Sequence, residues 1–259
     1  MKEKGILPVS EAAARLQVSP VRIRAMIRGG IVEAEKIGDR WFVDKSSLER
    51  RKALKAPVGR PLAPLNAWGV LFLASRDFSQ AAPSYFQSIS PWMRSRIRSR
   101  IRKEGLRWLV PRLYKRAAIE RFRAHPSDLS NLLEESGVVR AGISVASQYS
   151  MDVSDSGVVE LYVHEKQLPR LRRKYLLEPS VRPNVILHVV KGPWPFTKSA
   201  KFVPIAVAAL DMLESDDPRS RRAGEAMLDR VEAIREAIQE DDSAPPVRRK
   251  SNSLLARGS

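Results

Sequence analysis

Between Ser10 and Val43 the chain alternates helix starts, stops and turns so closely that few folds can accommodate it. Ser10-Glu11-Ala12-Ala13-Ala14-Arg15-Leu16 predicts a short helix, with Ser10 able to cap its first free amides. Gln17-Val18-Ser19 predicts a turn. Ser19 is then the cap, and Pro20 the first residue, of a second helix reaching Arg28, since proline loses no hydrogen bond at that position. Gly29-Gly30 supplies the left-handed backbone that ends a helix, and Gly38-Asp39 suits the two-residue, primed turn of a β-hairpin. Two short helices, a tight turn and a hairpin follow.

On a helical wheel Ile23, Met26 and Ile27 share one face, expected to pack on Leu16 and Val18. Val21, Ala25 and Arg28 occupy the opposite face, with Arg22 and Arg24 on its flanks. This order is that of a winged helix-turn-helix, whose second helix enters the major groove of DNA. Ser19, Pro20, Val21, Arg22, Arg24, Ala25 and Arg28 are therefore candidate DNA contacts. Small Ala25 permits close approach, and Arg22, near the helix start, is placed for a bidentate contact with guanine. Lys36, Arg40 and Trp41 on the hairpin are placed to meet phosphate or a minor groove. A merely solvated helix would carry surface arginines too, but not together with the turn, both caps and the wing.

The composition agrees with a polyanionic partner. Among 259 residues, 46 are Lys or Arg against 29 Asp or Glu, a formal charge of +17. The excess is concentrated: residues 94–123 hold twelve basic residues against only Glu104 and Glu120. There is no cysteine, hence no disulfide, thiolate metal site or cysteine nucleophile. No apolar run follows the N-terminal lysines, so no secretory signal is expected. The longest apolar stretch, Ala67 to Ala74, is far below the roughly 20 residues that span a bilayer. A cytoplasmic or nucleoid-associated protein with no membrane contact is the expectation.

The organisation expected is α+β. A winged helix-turn-helix over residues 1–55 ends in a short helix from Ser46, and a Pro/Gly linker occupies 56–61. A helical region follows over 62–115, then a mixed α/β unit over 116–239 closing with two helices, and a disordered tail over 240–259. Within the helical region Ala67–Ala74 should be a buried helix, and Ser90-Pro91 opens a helix from Trp92 to about Glu104. There Met93, Ile97 and Ile101 form one apolar line. Arg94, Arg98 and Arg102 lie along one flank, Arg96, Arg100 and Lys103 along the other, with Ser95 and Ser99 on the ridge between. Two basic rails suit a phosphate backbone, an acidic protein surface being the competing partner.

From Arg116 onward strands and helices alternate. Strands are expected near 117–124, 138–139, 158–163 and 184–190. Helices are expected after Pro126-Ser127-Asp128, over 144–149 and over 167–177, the last with Leu168, Leu171, Tyr175 and Leu176 inward. Val203–Leu213 should be a core helix. Asp217-Pro218 starts the last helix, with Ala223, Met227, Leu228, Val231, Ile234 and Ile238 on one side.

No catalytic constellation stands out. His125, His164 and His188 are isolated in sequence, with no partner at metal-ligand spacing. Gly142-Ile143-Ser144 before Asp152 and Asp155 invites a nucleotidyltransferase reading, but acids three apart do not share one strand face. No Gly-rich phosphate loop is present. A non-enzymatic chain without metal or cofactor is expected.

Two resemblances add to this. Val9-Ser10-Glu11-Ala12-Ala13, Leu16, Val18-Ser19, Ile23-Arg24, Ile27-Arg28-Gly29-Gly30, Lys36, Arg40-Trp41-Phe42-Val43 and Leu48 resemble the excisionase and MerR-type winged helix, which usually has Gly in place of Gln17. That likeness covers about the first fifty residues and implies DNA binding. Further on, several segments resemble the AbiEi-like antitoxins of type IV toxin–antitoxin systems, over most of residues 59–238. They are Gly59-Arg60-Pro61-Leu62 with Asn66-Ala67-Trp68, the Arg-rich helix, Phe122 to Leu129, Ala206 to Ser215, Asp217-Pro218-Arg219, Ala223-Gly224 and Leu228. The excisionase-type module departs from that family's more usual N-terminus. The resemblance implies an autorepressor, bound to operator DNA, that neutralises a nucleotidyltransferase toxin encoded beside it. A plain regulator with a ligand-sensing or dimerisation unit, or a recombination accessory protein, stays open, as does a homodimer on DNA.

Overall fold

Leu7, Val9 and Val43 bring the first unit together around the two alanines of its first helix. The computed structural model describes residues 5–28, 32–53, 61–75, 79–151, 153, 157–180 and 182–243. The unit runs β1 (Ile6–Pro8), α1 (Val9–Leu16), α2 (Pro20–Arg28), β2 (Ala34–Ile37), β3 (Arg40–Asp44) and α3 (Lys45–Ala53). β3 is the middle strand of a three-stranded antiparallel sheet, flanked by β1 and β2. Buried Ala12, Ala13, Ile23, Met26, Val43 and Leu48 form its core, with Leu16 and Ile27 partly buried against it.

Several local details differ from expectation or explain it. β1 is too short to show alternation, and it feeds straight into α1, so the helix starts at Val9 behind Pro8 and Ser10 makes no cap. Ser19 does cap α2, its Oγ accepting from Arg22 N at 3.2 Å. Gln17 takes the left-handed conformation (φ 53°, ψ 44°), which is why a glycine suits the position. The chain leaves α1 through that turn, and Val18, expected inward, stands 36% exposed. Gly38 and Asp39 form the two-residue turn of the hairpin, Gly38 at φ 60°. Gly29-Gly30, the linker up to Arg60, Asp152, Asp155, the side chains of Ile234 and Ile238, and residues 244–259 lie outside the described residues.

The larger unit contains α4 (Pro64–Ser75), α5 (Pro83–Gln87), α6 (Pro91–Leu109), β4 (Ala118–Arg123), α7 (Leu129–Leu133), β5 (Val138–Arg140) and β6 (Val159–His164). It continues with α8 (Leu168–Lys174), β7 (Glu178–Pro179), β8 (Val185–Val190), α9 (Ile205–Leu213) and α10 (Pro218–Ser243). Its five-stranded sheet has the order β5-β6-β8-β4-β7. β6 and β8 are parallel and the other pairs antiparallel, so α8 lies in the crossover that a parallel pair requires. The class is the expected α+β. Val159, Leu161, Val163, Val185, Leu187 and Val189 face a core completed by α7 and α8. The alternate residues face α4, α6, α9 and α10, which share a second core with Tyr162 and Val190.

Helix ends follow their chemistry. Ser90 Oγ accepts from Met93 N at 3.2 Å, and Asp217 Oδ2 from Ser220 N at 2.7 Å. α6 breaks at Gly105 (φ 74°), and Glu232 of α10 accepts from the freed Leu106 and Arg107 amides at 2.5 and 3.1 Å. Gly224 lets α10 lie on α9: a Cβ there would sit 2.7 Å from Leu213 N. The 144–149 region forms short 3-10 turns rather than an α-helix. α8 ends at Lys174, earlier than expected. Leu176, expected inward, takes φ 47° and is 79% exposed, while Leu177 N bonds Arg172 O at 3.0 Å and Leu177 enters the core. α10 continues past Glu240 to Ser243, since nothing before Pro245 breaks a helix.

Candidate nucleic-acid interface

Burial of Ile23 and Met26 fixes the rotation of α2, and that rotation sets the rest. Val21, Arg24 and Arg28 are exposed and Ala25 is half-buried, so the outward face is the one the wheel predicts. Val21 is 67% exposed. In the hairpin Lys36 pairs directly with Trp41, which puts both on one face of the sheet, while Ile37 and Arg40 share the other. Trp41 joins Val21, Arg24, Ile27 and Arg28 around an open, mainly apolar depression of about 250 Å³. The structure therefore brings together Val21, Arg24, Arg28 and Trp41, with Lys36 on the same side of the wing. Arg40 sits at the hairpin tip on the opposite face. Among the described residues neither Arg24 nor Arg28 has a carboxylate partner, whereas Arg15 of α1 pairs with Glu11 at 2.9 Å.

Residues 6–53 match the helix-turn-helix domain family. No curated protein and no solved structure matches the chain. The helix-turn-helix domain thus covers β1 to α3, with α2 as the second helix of the motif.

Arg22 occupies the other flank of α2. Burial and then the Arg22 charge pull buried Arg51 of α3 below the ordinary guanidinium range. Half-buried Tyr114 of the larger unit lies within reach of both charges. Arg22 is thus exposed at the junction with the larger unit, apart from the cluster around Trp41. A further tie joins the two parts: Arg121 Nη1 on β4 lies 3.0 Å from Glu33, and its Nη2 lies 3.6 Å from Asp216.

α6 presents the second basic surface. Ile97 and Ile101 are buried and Ser95 and Ser99 exposed, as the wheel requires. Arg96, Arg98, Arg102 and Lys103 are exposed; Arg94 and Arg100, flanking the apolar line, are half-buried. Trp92 stands 64% exposed on the outward face with the Arg96 guanidinium 5.2 Å from its ring. Later arginines of the same run behave differently. Arg107 pairs with Glu225, and with Asp229 at 2.7 Å; both acids lie on α10. No hydrogen bond or ion pair among the described residues connects α6 to α2, so the two basic surfaces are separate features.

A buried polar network was not legible in sequence. Arg116, 2% exposed, donates from Nε to Tyr162 Oη (2.9 Å) and from Nη2 to Asp211 (2.7 Å) and Glu214 (2.7 Å). Tyr162 donates to the same Asp211 oxygen at 2.7 Å. His188, expected to be isolated, lies 2.6 Å from Glu160 and 4.0 Å from Asp211, stacked on Tyr162. Burial disfavours its charge, but Asp211 and Glu160 outweigh that and raise its pKa. One signal could have exposed the network: Glu160, His188 and Asp211 each interrupt an otherwise apolar run. Among the described residues no group of His, Asp and Glu could hold a metal ion, and no helix is long and apolar enough to cross a membrane.

Proposed function

We propose that the chain is a transcriptional repressor that binds its operator through α2 and the wing, and that the larger unit neutralises a nucleotidyltransferase-type toxin. The observation that supports repression is the cluster of Val21, Arg24, Arg28 and Trp41 around an open depression, with both arginines free of carboxylates among the described residues. Apolar contact from Val21 suits a thymine methyl, and an arginine suits guanine. Lys36 and Arg40 supply wing contacts to phosphate, Ser19 and Pro20 present the helix start, and Ala25 keeps the approach close. Arg22 is the candidate for a base edge nearest the larger unit. Arg94, Arg98 and Arg102 add sequence-independent attraction. The antitoxin half of the proposal rests on the resemblance of residues 59–238 and on the larger unit having cores separate from that of the helix-turn-helix domain.

The test uses the full chain in cells carrying a reporter under its own promoter and the adjacent reading frame. Repression and rescue from that frame's product are both expected. Arg24→Ala with Arg28→Ala should relieve repression and leave rescue intact. A chain that represses but never rescues would remove the antitoxin half. Rescue lost together with repression would tie the two activities to one surface and contradict the division proposed.

A further inference from the structure

Beside the edge strand β5 and the end of β6, remote from α2 in sequence, a hollow of about 420 Å³ opens in the larger unit. Small-molecule sites run roughly 300–1,000 Å³. Its apolar floor is made by Val138, Val139 and Ala200, and its aromatic wall by Trp194 and His164. Trp194 is held edge-on to Phe196 at 5.1 Å, and Phe196 is buried against Trp68 and Tyr162, so the indole is anchored to the main core.

The polar groups of the hollow are unevenly committed. His164 Nδ1 accepts from Lys166 N at 3.1 Å, and its Nε2 therefore donates to Gly192 O at 2.8 Å. Both ring nitrogens are used, which leaves the imidazole as a wall beside Trp194, their centroids 6.1 Å apart. Glu165, the nearest acid in sequence, is turned to Gly192 N at 3.2 Å. Lys166 and Lys198, both lining the hollow and exposed, have no carboxylate partner among the described residues. Gln167 also lines the hollow, and its buried Oε1 has no hydrogen-bond donor among the described residues. A buried acceptor left unpaired is costly, and a ligand donor would relieve it.

We infer that this hollow binds a planar-ring anion of nucleoside-monophosphate size: the ring against Trp194, the anionic group between Lys166 and Lys198, and an N–H or O–H of the ligand at Gln167 Oε1. The same chemistry could be supplied by a nucleotide or by an aromatic carboxylate. This inference does not depend on the DNA-binding reading.

Isothermal titration calorimetry on the full chain tests it with adenosine and guanosine 5′-monophosphates and anthranilate as ring anions. Inorganic phosphate and adenosine serve as probes carrying one feature each. At least one ring anion should bind at sub-millimolar concentration, and at least tenfold more tightly than phosphate or adenosine. Which ring anion binds identifies the source. Lys166→Ala with Lys198→Ala, both surface changes, should weaken that binding at least tenfold while duplex-DNA affinity of the same sample stays within twofold. The inference is overturned if no ring anion binds at millimolar concentration, if phosphate binds as tightly, or if the double variant binds unchanged.

Discussion

Arginine does opposite work in the two parts of this molecule. On α2, Arg24 and Arg28 stand exposed around an open depression, and among the described residues no carboxylate holds them. In the larger unit Arg116 is sealed between α9 and the sheet, with Tyr162, Asp211 and Glu214 taking its donors. The α6 run contains both kinds: Arg98 stands on the surface, while Arg107 is tied to two acids of α10. Composition cannot separate these populations, because each adds one charge to the +17 total. What separates them is where the acids fall. Among the described residues, acids of α9 and α10 come back in space to Arg107 and Arg116, and no ion pair reaches Arg24 or Arg28.

The sharpest way to break this contrast is to remove Arg116. Arg116→Met should cost about 3–5 kcal/mol of unfolding free energy in denaturant titration, because Asp211 and Glu214 would lose the guanidinium that neutralises their enclosed charge. A loss below about 1 kcal/mol would mean that the network is not holding the fold. Next in size, Arg94→Gln, Arg98→Gln and Arg102→Gln together should lower affinity for specific and random duplexes alike. The log–log salt slope should flatten by up to about three charges' worth, and an unchanged slope would assign that face to a protein partner.

A smaller effect tests a paired acid whose side chain is largely enclosed. Burial pushes the Glu135 carboxyl up, but hydrogen bonds from Lys174, Tyr175 and Arg170 outweigh it and hold the pKa at about 2. A depressed carboxyl contributes stability above its unfolded pKa, near 4.5, and loses it as pH falls through the folded value. Glu135→Gln should therefore be less stable than the parent by about 1 kcal/mol at pH 7. The gap should close between roughly pH 4.5 and pH 2; a gap independent of pH would refute the ionic origin. Smallest of all, Gln17→Gly should gain up to about 1 kcal/mol, because it removes the left-handed strain and offsets it only in part through the freer unfolded chain.

Local chemistry was readable wherever a turn or cap depends on one residue. Ser19, Pro20, Gly38, Ser90 and Asp217 act within a few residues of themselves, and each does in the structure what its type dictates. The outward face of α2 and the buried line of α6 were legible for the same reason, since periodicity alone sets them. Tertiary context decided the rest. Ser10 lost its capping position because β1, only three residues long, feeds directly into α1. Leu176 turned outward because α8 stopped a turn early. Arg116, Glu160, His188 and Asp211 meet only after the sheet pairs β6 with β8 and α9 covers it. Periodicity could mark Glu160 and Asp211 as out of place but could not name their partners. The hollow around Trp194 likewise draws on segments far apart in the chain.

The central claim is that α2 reads duplex DNA through its open face, and selection from a random duplex pool tests it most directly. The full chain should enrich one sequence motif at physiological salt. Arg24→Ala with Arg28→Ala should lose base preference at one or more positions of that motif, at a cost of roughly 1–3 kcal/mol for each arginine that contacts a base. No enrichment by the parent, or the same motif at the same strength from the double variant, would contradict the account.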